Sequence, residues 1–106
     1  MGQHQVKITV IKRIEPSMIY EQVPVNTENN VPHVACPVFK EGQAFLAESM
    51  DTPPEGFCPS AWHDILEYVR VLHHGGSFYP WLGEKEMIRC CTDGLRPVVF
   101  KLERMD

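Results

Sequence analysis

Apolar and polar residues alternate along residues 5–13: Val6, Ile8 and Val10 fall on one face, Lys7, Thr9 and Ile11 on the other. Successive side chains of a strand point to opposite faces, so this stretch is expected to be a half-buried strand. A second strand is expected at 43–49, with Phe45 and Ala47 opposing Ala44, Leu46 and Glu48. From 59 to 74 the period becomes helical. Trp62, Ile65, Leu66, Val69 and Leu72 form an apolar stripe, and His63, Glu67, Arg70 and His74 a polar one. Pro59 stands at the first helical position, where its missing N–H costs nothing, and Gly75-Gly76 ends the helix. Residues 15–34 sustain no period; with Pro16, Pro24, Pro32, Asn26, Asn29 and Asn30 they read as a long irregular excursion with one helical turn at 17–22. Structureless segments of that length are uncommon in compact domains, so the excursion is either functional or packed across the surface.

The last element is expected to be a hairpin, 86–92 and 97–104, turning around Asp93-Gly94. A two-residue turn would put Arg89 on the same face as Val98. A three-residue loop, pairing Thr92 with Arg96, gathers Ile88, Cys90, Val98, Phe100 and Leu102 on one face and Met87, Arg89, Cys91, Val99, Lys101 and Glu103 on the other. The second register separates apolar from charged residues and is the one expected. It makes Cys90 a core residue and turns Cys91 to the polar side. Together the elements predict an α+β fold: a small antiparallel sheet or open barrel of about four strands, with the 59–74 helix packed across it.

With 106 residues, the chain has room for one domain, 1–106, and no internal repeat or linker divides it. Hydrophobic residues at 43% and charged ones at 23% describe a globular domain and exclude a disordered chain. The formal charge of −4 argues against nucleic acid and anionic membrane as partners, since both require a basic surface. No apolar run approaches the ~20 residues of a membrane span. The start, Met1-Gly2, shows no charged or apolar leader, and Val6 occupies the place where a myristoylation signal needs Ser or Thr. The expected location is cytoplasmic, where the four cysteines would stay reduced.

Three segments carry a resemblance. They are Cys36-Pro37-Val38-Phe39-Lys40-Glu41-Gly42-Gln43, then Pro54-Glu55-Gly56-Phe57-Cys58-Pro59, and finally the run from Cys90-Cys91-Thr92-Asp93-Gly94-Leu95-Arg96-Pro97-Val98 through Phe100-Lys101 to Glu103-Arg104. Together they resemble a family of small conserved prokaryotic proteins of about this length, over roughly residues 6–104, with 15–34 the least similar stretch. The family has no established activity, so the resemblance implies a single domain and names no chemistry.

The candidate chemistry lies in the thiols. Cys36 and Cys58 each precede proline, which favours extended loop geometry. Cys58 falls at the helix N-cap, where free N–H groups and the positive end of the dipole favour a thiolate. Cys91 is expected near Arg89, Arg96 or Lys101, which would act in the same direction. If Cys36, Cys58 and Cys91 converge, they make a soft-ligand site for zinc, iron or an iron–sulfur cluster, with His33, His63 or His74 as a fourth ligand, or else a set of reactive thiols. The alternatives are a thiol-dependent enzyme, with Cys58 as nucleophile and His63 or Asp64 as base, and a homo-oligomeric interaction module without catalysis. Phe57, Trp62, Phe78, Tyr79 and Trp81 are expected to line an apolar pocket beside Cys58 or a subunit interface.

Overall fold

A computed structural model of the protein describes residues 3–105. The Met1-Gly2 start, on which the reading of the leader rests, lies outside the described residues. The alternating stretches form strands β1 (Gln5–Arg13) and β2 (Ala44–Ala47), and the helical stripe forms α1 (Pro59–His73). The hairpin supplies β3 (Glu86–Cys90) and β4 (Val98–Met105). The strands pair antiparallel in the order β2-β1-β4-β3, which leaves β2 and β3 as edges. The fold is α+β, as the pattern of elements predicts.

One face of the sheet carries the core. Val6, Ile8 and Val10 from β1 and Val98, Phe100 and Leu102 from β4 are buried against Trp62, Ile65, Val69 and Leu72 of α1. Phe39 and Phe57, from the two loops before the helix, close one end and pack against Phe100, edge-on and tilted respectively, at 5.2 and 5.4 Å between ring centres. At the other end the buried His73 donates through Nδ1 to the His4 carbonyl at 2.7 Å, which gives that ring nitrogen a partner. The excursion contains one 3₁₀ turn, Pro16–Met18, and a single bridge between Val25 and Pro32.

The hairpin register differs from the expected one by a single residue. Cys90 pairs with Val99, Arg89 with Phe100 and Met87 with Leu102. Because side chains alternate, the slip turns all of β3 over. Met87 is buried, Arg89 and Cys91 face inward, and Ile88 and Cys90 are exposed on the outer face. Cys90 is therefore not a core residue. Two facts account for the difference. Seven residues, 91–97, connect the strands, and the inward Arg89 lies with its guanidinium 3.8 Å from the centre of the Tyr68 ring. A cation over an aromatic face, its stem packed on apolar surface, can sit on an inward face that segregation by polarity alone would deny it. The two-residue turn gave the right facing for Arg89, although its pairing is two residues out of step.

Candidate functional site

Three segments meet at the N-terminal end of α1. The first is the loop carrying Cys36, anchored from both sides: the Ala35 N–H donates to Glu15 Oε1 at 3.2 Å, and the Cys36 carbonyl accepts from Arg13 Nη1 at 3.1 Å. Arg13 lies beyond the point where β1 shifts register against β4, between Val10 and Lys12. Its N–H also donates to Glu41 Oε2 at 2.9 Å, and this bond is the main reason the Glu41 carboxyl is held below its ordinary value. The second segment is the start of α1. Cys58 has the extended backbone of an N-cap, and its carbonyl accepts from the Trp62 N–H at 2.9 Å. Its side chain makes no capping hydrogen bond.

The third segment is the β3–β4 loop. Asp64, one turn into α1, accepts from the Thr92 N–H at 2.8 Å and from the Thr92 hydroxyl at 3.1 Å. That clamp holds Cys91, the residue before, against the helix start. Further along, Asp93 Oδ1 accepts from the N–H groups of Leu95 and Arg96 at 2.9 and 3.2 Å and so closes the turn. The Arg96 guanidinium lies beside the same carboxylate, with Nε 3.7 Å from Oδ2.

These segments enclose a cavity of about 360 Å³ whose lining includes Cys36, Cys58 and Cys91. Phe39, Ala61 and Val98 supply apolar surface, and Ser60, Asp64, Thr92, Asp93 and Arg96 supply polar groups. All three thiols are free and half-buried against the core, whereas Cys90 is exposed on the opposite side of the sheet. The Cys91 sulfur accepts from the Val98 N–H at 3.3 Å. Burial pushes its thiol above the ordinary value, and hydrogen bonds from the backbone of Asp93 and Val98 only partly oppose this. The expected lowering by Arg89, Arg96 or Lys101 is thus reversed: the charges that act on Cys91 are those of Asp93 and Cys90, and both disfavour the thiolate.

The other expected members are placed differently. His63 is exposed and absent from the cavity lining. His33 lines a neighbouring recess, not the thiol cleft. His74 follows the far end of the 15-residue α1, on the order of 20 Å from Cys58 at 1.5 Å per residue. Among the described residues no group of three or more His, Cys, Asp or Glu side chains is arranged to hold a metal ion. The aromatic residues do not line the cleft either. Phe57 and Trp62 are buried in the core, and Phe78 stacks on Tyr68 at 5.6 Å. Tyr79 and Trp81 are 66% and 78% exposed. The cleft's aromatic surface comes instead from Phe39, which sequence reasoning did not single out.

Sequence reasoning also passed over Thr92 as a site residue, and it brought in Arg96 only as a charge near Cys91, not as a wall of the cleft. Asp93-Gly94 reads as turn chemistry, and it is turn chemistry; the turn also delivers Arg96 to the cleft. No family model, curated protein or solved structure matches the chain. Among the described residues no helix is long and apolar enough to cross a membrane.

Proposed function

We propose that the chain is a small binding domain whose working part is the three-cysteine cleft, its thiols reacting with a bound small molecule. The observation that carries this reading is that three cysteines from three separate segments line one cavity while the fourth stands outside it. Core filling alone gives no reason for such sorting. Cys58 is the thiol best suited to react first. Its side chain is not engaged by the helix, and it stands at the helix end that favours negative charge. The Cys91 sulfur is already a hydrogen-bond acceptor, and burial favours its protonated form. A reducing compartment such as the cytoplasm would keep all three free. The resemblance to small prokaryotic proteins adds no activity to this reading.

Brief exposure to iodoacetamide at neutral pH, followed by mass-spectrometric mapping, tests it. The thiolate sulfur displaces iodide from the reagent's carbon, so labelling reports nucleophilicity site by site. Cys58 is expected to be labelled ahead of the more exposed Cys90, and Cys91 last, gaining rate only as pH rises beyond the ordinary thiol range. Labelling of Cys90 alone, with the cleft thiols inert, would reduce them to packing. Protection of Cys36, Cys58 and Cys91 by equimolar zinc would make the cleft a metal site instead. Self-association is a second reading, supported by the exposure of Tyr79 and Trp81 on the 77–83 loop. A multimer in sedimentation that Trp81→Ser dissolves would favour it.

A further inference from the structure

A second recess, of about 270 Å³, adjoins the thiol cleft, and Arg96 lines both. Its other walls come from the excursion, including Asn26, Asn29 and His33. The two asparagines are oriented by their own turns. Asn26 Oδ1 accepts from the Glu28 N–H at 2.9 Å, and Asn29 Oδ1 accepts from the Val31 N–H at 3.0 Å. With both side-chain oxygens committed to the backbone, what each side chain has left to offer is its NH2 group, a pure donor. Arg96 adds its guanidinium. The Nε is buried without a hydrogen-bond partner, since Asp93 approaches it only to 3.7 Å. Among the described residues no carboxylate lines this recess. Asp64 and Asp93 lie on the thiol side, where each already accepts hydrogen bonds from the loop, and Glu28, in the turn between Asn26 and Asn29, is not part of the lining.

The polar groups of the recess are two amide donors, His33 and one cation, set among Val31, Pro32 and Val34. That combination, with no acid in the wall, fits a carboxylate on a small organic molecule, since an ionised carboxylate only accepts hydrogen bonds. The recess opens beside three thiols and shares a wall residue with them. We propose that the two cavities form one bipartite site for a small carboxylate-bearing molecule with a thiol-reactive centre: Arg96, Asn26, Asn29 and His33 hold the carboxylate, and the cleft thiols meet the reactive atom. This rests on the thiol reading of the cleft and adds the substrate class to it.

Two aromatic disulfides make the comparison, one carrying carboxylates, 5,5′-dithiobis(2-nitrobenzoate), and one neutral, 4,4′-dithiodipyridine. In both, a protein thiolate attacks one sulfur of the reagent and a protein–sulfur bond forms. The reagent's S–S bond breaks, the aromatic thiolate leaves with the electron pair, and the thiol proton goes to solvent. Rates are read from the released chromophore in a Cys90→Ser background. The ratio of anionic to neutral rate is expected to fall about tenfold in Arg96→Gln, the usual size of one lost hydrogen bond to a charged group. Arg96→Gln keeps the backbone N–H that Asp93 uses, so the turn is retained. Asn29→Asp keeps the acceptor for Val31 while replacing the donor with a negative charge, and is expected to lower the ratio in the same direction. A ratio unchanged in both variants, with the neutral reagent still reacting quickly, would overturn the carboxylate subsite and leave the thiol reading standing. Slow reaction of the neutral reagent with the cleft thiols would overturn the thiol reading itself.

Discussion

Cys58 occupies a position where stability and thiol chemistry ask for different residues. A helix N-cap is best filled by Ser, Thr, Asp or Asn, whose side-chain oxygen accepts from an early N–H. Cysteine makes no such bond here, so α1 starts without a side-chain cap. Cys58→Ser is therefore expected to raise stability by roughly 0.5–1 kcal/mol while abolishing the fastest thiol of the cleft. Denaturant unfolding beside iodoacetamide labelling reads both effects. A destabilised Cys58→Ser would mean that the sulfur contributes more as packed volume than an added cap returns. At this scale the sequence was informative where a local rule acts alone. Proline after Cys58 marks the helix start, and the N-cap assignment is correct. It was uninformative for Cys90 and Cys91, because which of two adjacent residues faces inward depends on pairing with a strand seven residues away.

Strands and helix show the same division. β1 and α1 are legible because their periods of 2 and 3.6 persist for 9 and 15 residues. β3 is five residues long, and its polarity pattern contains Arg89, whose inward place is made tolerable by Tyr68 on another element. A cation over a ring joins residues 21 positions apart in the chain (89 − 68), so no window of the hairpin itself displays it. The contact that assembles the cleft is of this long-range kind too. Asp64 holds Thr92 by its N–H and its hydroxyl, tying the start of α1 to the β3–β4 loop. Asp64→Ala removes both bonds and is expected to cost about 1–2 kcal/mol, modest because the pair is exposed to water. The more specific consequence is local. Freed from the clamp, Cys91 should lose part of its burial and label at a rate closer to that of Cys90. Unchanged Cys91 labelling in a less stable Asp64→Ala protein would show that the Val98 hydrogen bond suffices to position the thiol.

The molecule as a whole is less compact than its length requires. Its radius of gyration is 15.3 Å, against about 13 Å for a compact chain of roughly 100 residues. The principal extents of 52 × 29 × 20 Å describe an elongated body. The excursion at 15–34 holds no regular element longer than three residues. Of the two roles its length suggested, packing across the surface is visible in its hydrogen bonds, while the binding role belongs to the proposal above. Prolines and asparagines announced irregularity but could not say where the segment would lie, since its attachments are single contacts to distant residues. One of these is the Tyr20 hydroxyl, which donates to the Gly94 carbonyl at 2.6 Å across 74 positions of sequence. It joins the excursion to the turn that carries Arg96, and so joins the walls of the two cavities. Tyr20→Phe deletes that bond and little else. Global stability is expected to fall by only about 1 kcal/mol, since the pair is exposed and the core is untouched. Limited proteolysis between residues 20 and 31 should accelerate several-fold, because cleavage there follows the local opening free energy and not the global one. If the two cavities act as one site, the preference for the anionic disulfide should weaken in the same variant, with the neutral reagent reacting as before. Accelerated proteolysis with an unaltered preference would mean that the carboxylate subsite needs Arg96 but not the excursion held against it.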